Sequence, residues 1–464
     1  MTAIGPWFER LTALDAGFLD IERDRAAHMH VGMVAVFEGP APGYRELLAF
    51  VESRLHRVPR YRQRLRFVPL QQGRPVWVDE SMFDLEYHVR HTALPAPGGE
   101  EQLKAVAARL FAQRLDRDKP LWEMWFVEGL DGGRWALIAK THHCMIDGIS
   151  GVDIATVLME PEPRRDVPPP EPWTPRPSPS GARLLADAVA RQVTHPVQVA
   201  RGAFEEGSSA RRVLMEIAGG VPELVGMARM GQAPASSLNQ PIGPHRRFEM
   251  VRLDLGWVKR VRATLGGTVN DVILAVVAGA LRELLISRAE EPPAELRVMI
   301  PVSVRTPDER GTLGNRVTAI FCRLPVGEAD PARRLELISR ETRGLKEGRQ
   351  AIGALALTRL GEFTPPTLAA QAARLQAVTR FFNLVVTNVP GPQHPLYMLG
   401  RRMLASYPCV PLVKLSAVGI ALLSYDGAIG VGLLGDADKA RDLPVLAKAL
   451  PRALDELVAL AAKT

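Results

Sequence analysis

Thr141-His142-His143-Cys144-Met145-Ile146-Asp147-Gly148 is the stretch on which the reading of this chain turns. Arg134 to His142 before it reads as a strand, and Ile149 to Glu160 after it as a helix. Two histidines, an aspartate and a glycine therefore fall at the spacing HHxxxDG where a strand ends. From this chain's composition, a chance match is on the order of one in a thousand. Neighbouring strand residues point to opposite faces, so His142 and His143 should divide their roles, one towards chemistry and one towards structure. A neutral imidazole can take the proton of a hydroxyl that attacks an acyl carbon, an effect of typically about 10² to 10⁴ in rate. Asp147 and Gly148 then turn the chain into the next helix, with Asp147 suited to an N-cap whether or not it also serves the histidines.

Other readings of these residues stay open at this level. Histidine and aspartate are good metal ligands, but adjacent histidines diverge on a strand and no third ligand clusters with them, so no metal site is expected. A pair of hydrogen-bonded core histidines is the remaining structural reading. Cys144 reads either as a small buried hydrophobe or as a nucleophile.

Outward from this stretch the chain alternates strands and helices. On the N-terminal side, strands are expected at Met29 to Glu38, Arg62 to Pro69, Arg74 to Asp79 and Trp122 to Leu130, with helices at Gly43 to Arg57 and Gly99 to Leu115. Residues 161 to 180 hold nine prolines in twenty, which forbids helix or central strand and marks an extended tether. Helices follow at Gly181 to Glu206, with a break expected at Pro196, and at Arg211 to Met230. A second alternation runs to the end: strands at Arg247 to Leu253, Arg297 to Val304, Arg316 to Val326, Phe382 to Thr387, Leu415 to Leu423 and Ala428 to Leu434. Its helices are Asn270 to Arg288, Pro331 to Lys346, Pro366 to Arg380 and Asp442 to Ala462. The expected organisation is α/β in two lobes: residues 1–160 with the HHxxxDG element, 161–240 as tether and connecting helices, and 241–464 as the second lobe.

Composition narrows the class. The 464 residues are 47% hydrophobic and 23% charged, ordinary for a globular protein and unlike a coiled coil or a disordered chain. The longest uncharged run, Phe381 to Gly400, contains two asparagines, three prolines and a histidine, so no window supplies the roughly 20 apolar residues of a spanning helix. Charges from Glu9 to Arg25 interrupt any export signal, and three scattered cysteines suggest no disulfide framework, so a cytoplasmic protein is expected. The net charge of +7 suits an anionic partner such as a coenzyme phosphate or a lipid surface. Its densest cluster is Arg57, Arg60, Arg62, Arg64 and Arg66, of which the last four would share one face of a strand. Dispersed positive charge gives no nucleic-acid footprint. Gly430-Val431-Gly432-Leu433-Leu434-Gly435 matches GxGxxG, but 29 residues cannot complete a dinucleotide-binding unit, and it is read as a glycine-rich strand end.

His142 to Gly148 resembles the active-site signature of CoA-dependent acyltransferases, and further blocks narrow the likeness to the bacterial wax ester synthase/diacylglycerol acyltransferase family. These are Leu14-Asp15-Ala16, Met29-His30-Val31-Gly32, Pro120-Leu121-Trp122 and Asn270-Asp271-Val272-Ile273-Leu274-Ala275. Later in the chain come Pro301-Val302-Ser303-Val304-Arg305, Gly314-Asn315, Asn388-Val389-Pro390-Gly391-Pro392 and Ser424-Tyr425-Asp426-Gly427. The resemblance implies a two-lobed chloramphenicol-acetyltransferase-like fold with a central tunnel between the lobes, acyl-CoA entering from one side and the alcohol from the other. It implies His143 as general base and Asp147 as a structural residue, for which Arg305 is the expected partner. Asn270 is read either as a helix N-cap or as a site wall and oxyanion donor, and Pro120 and Trp122 as substrate-binding residues.

The function so implied is transfer of a fatty acyl group from CoA, a co-substrate, to a diacylglycerol or long-chain alcohol, without a resident cofactor. The location implied is cytoplasmic, peripheral at the inner membrane or a lipid inclusion. Two other classes compete: a carrier-protein-dependent condensation enzyme, and a non-catalytic lipid-inclusion binding protein.

Overall fold

All eight residues of the Trp135–His142 strand are buried, and the first lobe is built around it. The structure, a computed structural model, describes residues 8–22, 26–145, 157–202, 231–303, 317–347 and 380–463. Trp135–His142 lies antiparallel between His30–Phe37 and Trp122–Glu128, and Val89–Ala93 joins the latter in parallel. Its side chains alternate with period two. Trp135 and Leu137 enter a core with Leu47, Phe50 and Val51 of the helix Tyr44–Arg54. Ala136 and Ile138 enter another with Leu103, Ala107 and Leu110 of the helix Glu100–Ala112. Covered on both faces, the strand carries the near-continuous apolar run of a buried sheet centre.

The second lobe has a six-stranded sheet in the order Val317–Leu324, Leu296–Ser303, Leu384–Pro390, Val418–Tyr425, Ala428–Asp436, Arg246–Asp254. Leu384–Pro390 is parallel to both its neighbours and the other pairs are antiparallel. The helix Val269–Ser287 packs in its core with Leu443–Ala461 and is apolar over most of its circumference, as a helix covered on two sides must be. A helix not expected from the sequence, Leu255–Leu265, starts at Asp254, whose carboxylate accepts the Trp257 N–H at 2.9 Å.

Four expectations need correction. The second-lobe boundary at 241 does not hold for residues 397–409: Arg401–Cys409 leaves the second lobe and pairs antiparallel with His30–Phe37 in the first sheet. The GxGxxG glycines are not a strand end but the seam where that crossing strand passes. A Cβ added at Gly430 would lie 1.9 Å from the Ser406 carbonyl oxygen, and one at Gly432 1.8 Å from that of Pro408. No break occurs at Pro196, since the helix Gly181–Gly202 runs through it. The arginine cluster does not share a strand face, because Pro59 opens a 3₁₀ turn through Arg62 and the strand is only Gln63–Arg66. Arg60 pairs with Glu9 and covers Trp77, Arg62 covers Trp173, and Arg64 pairs with Glu80.

Residues 161–180 contain no helix or strand, and they are fastened to the first lobe where the Arg176 guanidinium meets Asp79 at 3.2 Å. Among the described residues no helix is long and apolar enough to cross a membrane. The helices expected at 211–230 and, but for Arg380, at 366–380, and all but the end of that at 149–160, lie outside the described residues.

Candidate active site

The central strand stops at His142, and His143 opens a 3₁₀ turn, His143–Met145. The two imidazoles thus part at a strand end rather than across one strand. Strand alternation puts His142 on the same face as Lys140, whose ammonium donates to the Leu110 and Gln113 carbonyls at 2.8 Å and pairs with Glu123. His142 is buried in a net of its own. Its Nδ1 accepts the Cys144 N–H at 3.1 Å and lies 2.9 Å from the Cys144 Sγ, and the backbone donor assigns the ring proton to Nε2, 3.2 Å from Glu22 Oε1.

His143 is half-buried as a residue, but its ring Nδ1 is shut off from solvent. Its backbone N–H donates to the Met29 carbonyl at 2.8 Å, and the Phe18 ring stands 4.2 Å from its imidazole at a tilt of 39°. Nδ1 has no hydrogen-bond partner among the described residues. Burial, joined by the neighbouring His142, pushes the imidazole pKa down to about 4, so near pH 7 the ring is a neutral base. The Cys144 thiol is also buried, and burial raises its pKa well above the ordinary value, the reverse of what a thiolate nucleophile needs.

Glu22 joins these parts. Burial opposes its ionisation, yet His142, His30 and Arg117 hold its carboxyl well below the usual carboxylate range. Oε1 accepts the Met29 N–H at 2.6 Å and lies 3.4 Å from His30 Nε2, while Oε2 accepts from Arg117 at 2.9 Å. The Arg114 guanidinium donates to its carbonyl. Glu22 was not among the residues expected from the sequence, and neither was Phe18. A signal was present: Thr12 and Asp15 form the start of a helix, and Leu11, Leu14, Phe18 and Leu19 follow helical spacing. The helix Ala13–Ile21 delivers Phe18 over His143 and ends at Glu22.

The other expected residues fall in three places. Trp122 is 1% exposed; its Nε1 donates to the Tyr61 carbonyl at 2.8 Å and its ring stacks on His88 at 4.6 Å. With Pro120, Tyr87, Arg90 and Arg114 it borders a cavity of about 340 Å³. Asn270 lies in the second lobe and is not the N-cap of its helix: Thr268 is, in a capping box with Asp271. Asn270 Oδ1 instead accepts from Asn388 Nδ2 at 3.2 Å, which joins two of the sequence blocks. Asp147, Gly148 and Arg305 lie outside the described residues.

Two sheet-bearing α/β lobes sharing a strand, with a histidine pair at the end of the first lobe's central strand, define the fold class of the two-lobed, HHxxxDG-bearing acyltransferases. Within that class the chain belongs to the wax ester synthase/diacylglycerol acyltransferase family: residues 11–273 match the family's catalytic domain and 313–458 its C-terminal domain. It is 36% identical to a probable diacylglycerol O-acyltransferase of Mycobacterium tuberculosis H37Rv and to a putative one of Mycobacterium bovis, over 97% of this chain and 96% of each of those. Among solved structures, the wax ester synthase/diacylglycerol acyltransferase from Marinobacter aquaeolei VT8 superposes with a TM-score of 0.68 at 28% identity, covering 98% of this chain and 100% of that one. The first condensation domain of the CDA synthetase shares the fold, with a TM-score of 0.59 at 19% identity over 97% of this chain and 96% of that one.

Proposed function

We propose that this protein is an acyl-CoA-dependent O-acyltransferase that esterifies a diacylglycerol or a long-chain alcohol, with His143 as general base. The observation that carries the reading is the His143 imidazole, held at a strand end by its own backbone and kept neutral by burial. In the reaction His143 takes the acceptor's hydroxyl proton as the oxygen adds to the thioester carbonyl. The tetrahedral adduct then collapses, the C–S bond breaks, and the CoA thiolate leaves and recovers the proton from the imidazolium. The transfer is direct, with acyl-CoA as co-substrate and no resident cofactor. The buried, protonated Cys144 thiol supports the absence of an acyl-enzyme.

Asn270, with Oδ1 engaged by Asn388, has its amide Nδ2 to donate to the developing oxyanion. Asp147 and Gly148 serve as structural residues of the motif, with Arg305 as the ionic partner of Asp147. Substrates meet in a tunnel between the lobes, and Pro120 and Trp122 serve as scaffold for its first-lobe wall. The protein works at the surface of a membrane or lipid inclusion: Phe67 and Leu70, 52% and 78% exposed beside Arg66, support contact with an anionic lipid surface.

The test is release of CoA thiol from palmitoyl-CoA, with hexadecanol and dioleoylglycerol offered separately, by wild type and His143→Ala. Acceptor-dependent release should fall by about 10² or more in the variant. Release that survives the substitution would remove His143 as the base, and none with either acceptor would remove the reading itself.

A further inference from the structure

We infer that Glu22 is a positioning residue for the acyl transfer: it holds, by two separate routes, the backbone on either side of His143. The inference rests on His143 being the base. The first route runs from the His143 N–H to the Met29 carbonyl at 2.8 Å, and from the Met29 N–H to Glu22 Oε1 at 2.6 Å. The second runs from the Cys144 N–H to His142 Nδ1 at 3.1 Å and on through the imidazole, whose Nε2 stands 3.2 Å from the same Glu22 oxygen in a charge contact outside hydrogen-bond geometry. The peptide N–H groups before and after the His143 Cα therefore both lead, one residue on, to a single carboxylate oxygen.

A carboxylate needed only to balance Arg117 would require no such convergence. Oε2 alone meets that guanidinium at 2.9 Å, while Oε1 is turned to Met29, His142 and His30. The two routes also explain why His142, wholly buried, stands beside the base with its imidazole turned to Cys144 and Glu22. It transmits the position of Glu22 to the peptide that follows His143. Misplacement of a catalytic group by about 1 Å can cost roughly 10²-fold in rate, so a clamp of this kind acts on turnover rather than on substrate affinity.

Glu22→Gln keeps the size of the side chain but cannot serve both sides. With its oxygen towards Met29 and His142 its NH₂ opposes the Arg117 guanidinium, and turned the other way its NH₂ opposes two N–H donors. Glu22→Asp keeps the charge and shortens the reach. In folded protein, verified by circular dichroism and melting, both should lower kcat by about 10- to 100-fold with the palmitoyl-CoA KM within about twofold of wild type. Unchanged kcat in folded Glu22→Gln, or an effect confined to KM, would overturn the inference.

A measurement on the wild type covers variants that fail to fold and a wild type that fails to turn over. ¹⁵N spectra of histidine-labelled protein should show His142 Nδ1 without a proton and Nε2 carrying one, and a proton on Nδ1 would overturn the clamp. A wild type lacking acceptor-dependent release but showing the Nε2–H tautomer would refute the acyltransferase reading and leave the clamp standing.

Discussion

Trp122→Phe separates two roles for the segment before the histidines, scaffold and substrate wall. The indole is 1% exposed, stacks on His88 at an interplanar angle of 12°, and meets the Tyr61 ring edge-on at 5.2 Å. Phenylalanine preserves the stacked ring but removes the donor that satisfies the Tyr61 carbonyl at 2.8 Å. Removing the donor of a buried hydrogen bond costs about 1–3 kcal/mol. The smaller ring also leaves roughly 40 Å³ unfilled, worth about 1 kcal/mol at about 24 cal/mol per Å³. The first lobe should therefore lose about 2–4 kcal/mol, seen by calorimetry as an earlier first-lobe transition, while KM for palmitoyl-CoA at about 20 °C stays within about twofold. An unchanged melting profile with KM raised about tenfold would refute the reasoning and put the ring against substrate.

Burial is the largest cause that brings His143, His28 and His88 down to a pKa of about 4 from an ordinary 6.5. The folded protein thus refuses protons that the unfolded chain accepts below pH 6.5, so urea midpoints should hold above that pH and fall as it drops towards 4. Over the same range kcat/KM should stay level until His143 protonates near pH 4, and an acid limb centred at 6.5 would contradict the buried base. Cys144→Ala should keep more than about half of wild-type kcat, because His142 is held by the Cys144 backbone N–H; a hundredfold loss would point to the thiol. Asn270→Ala and Asn388→Ala should each lower kcat and combine less than additively, by about 0.5–1.5 kcal/mol in a double-mutant cycle, and strict additivity would deny the 3.2 Å contact a role. Gly432→Ala should destabilise the seam by more than about 1 kcal/mol in thermal melts, since its methyl meets the Pro408 carbonyl.

Most strands and helices were legible because each writes its own periodicity: Trp135-Ala136-Leu137-Ile138 announces a buried strand, and Thr268 with Asp271 a helix start. The position of His143 at a strand end was legible for the same local reason. What stayed hidden was set by partners distant along the chain. Arg401–Cys409 is irregular in pattern, with a register shift between Met403 and Ala405, and owes its strand form to His30–Phe37. Gly430 and Gly432 read as a glycine-rich strand end, and the reason for glycine there shows only in the crossing backbone beside them. Glu22 reads as one more surface acid at a helix end, since its contacts at Met29, Arg117 and His142 converge only in three dimensions.

The strand that crosses from the second lobe also sets an order of events during synthesis. His30–Phe37 and Trp135–His142 leave the ribosome long before Arg401–Cys409, which is made last of the strands in their sheet. At roughly 5–20 residues per second the delay is on the order of tens of seconds. Throughout it, the outer side of His30–Phe37 is an unpaired edge, a template for any passing strand. Cell yield should therefore respond to translation speed and chaperone supply, and a gene cut after the tether would produce a fragment whose open edge has no strand to close it.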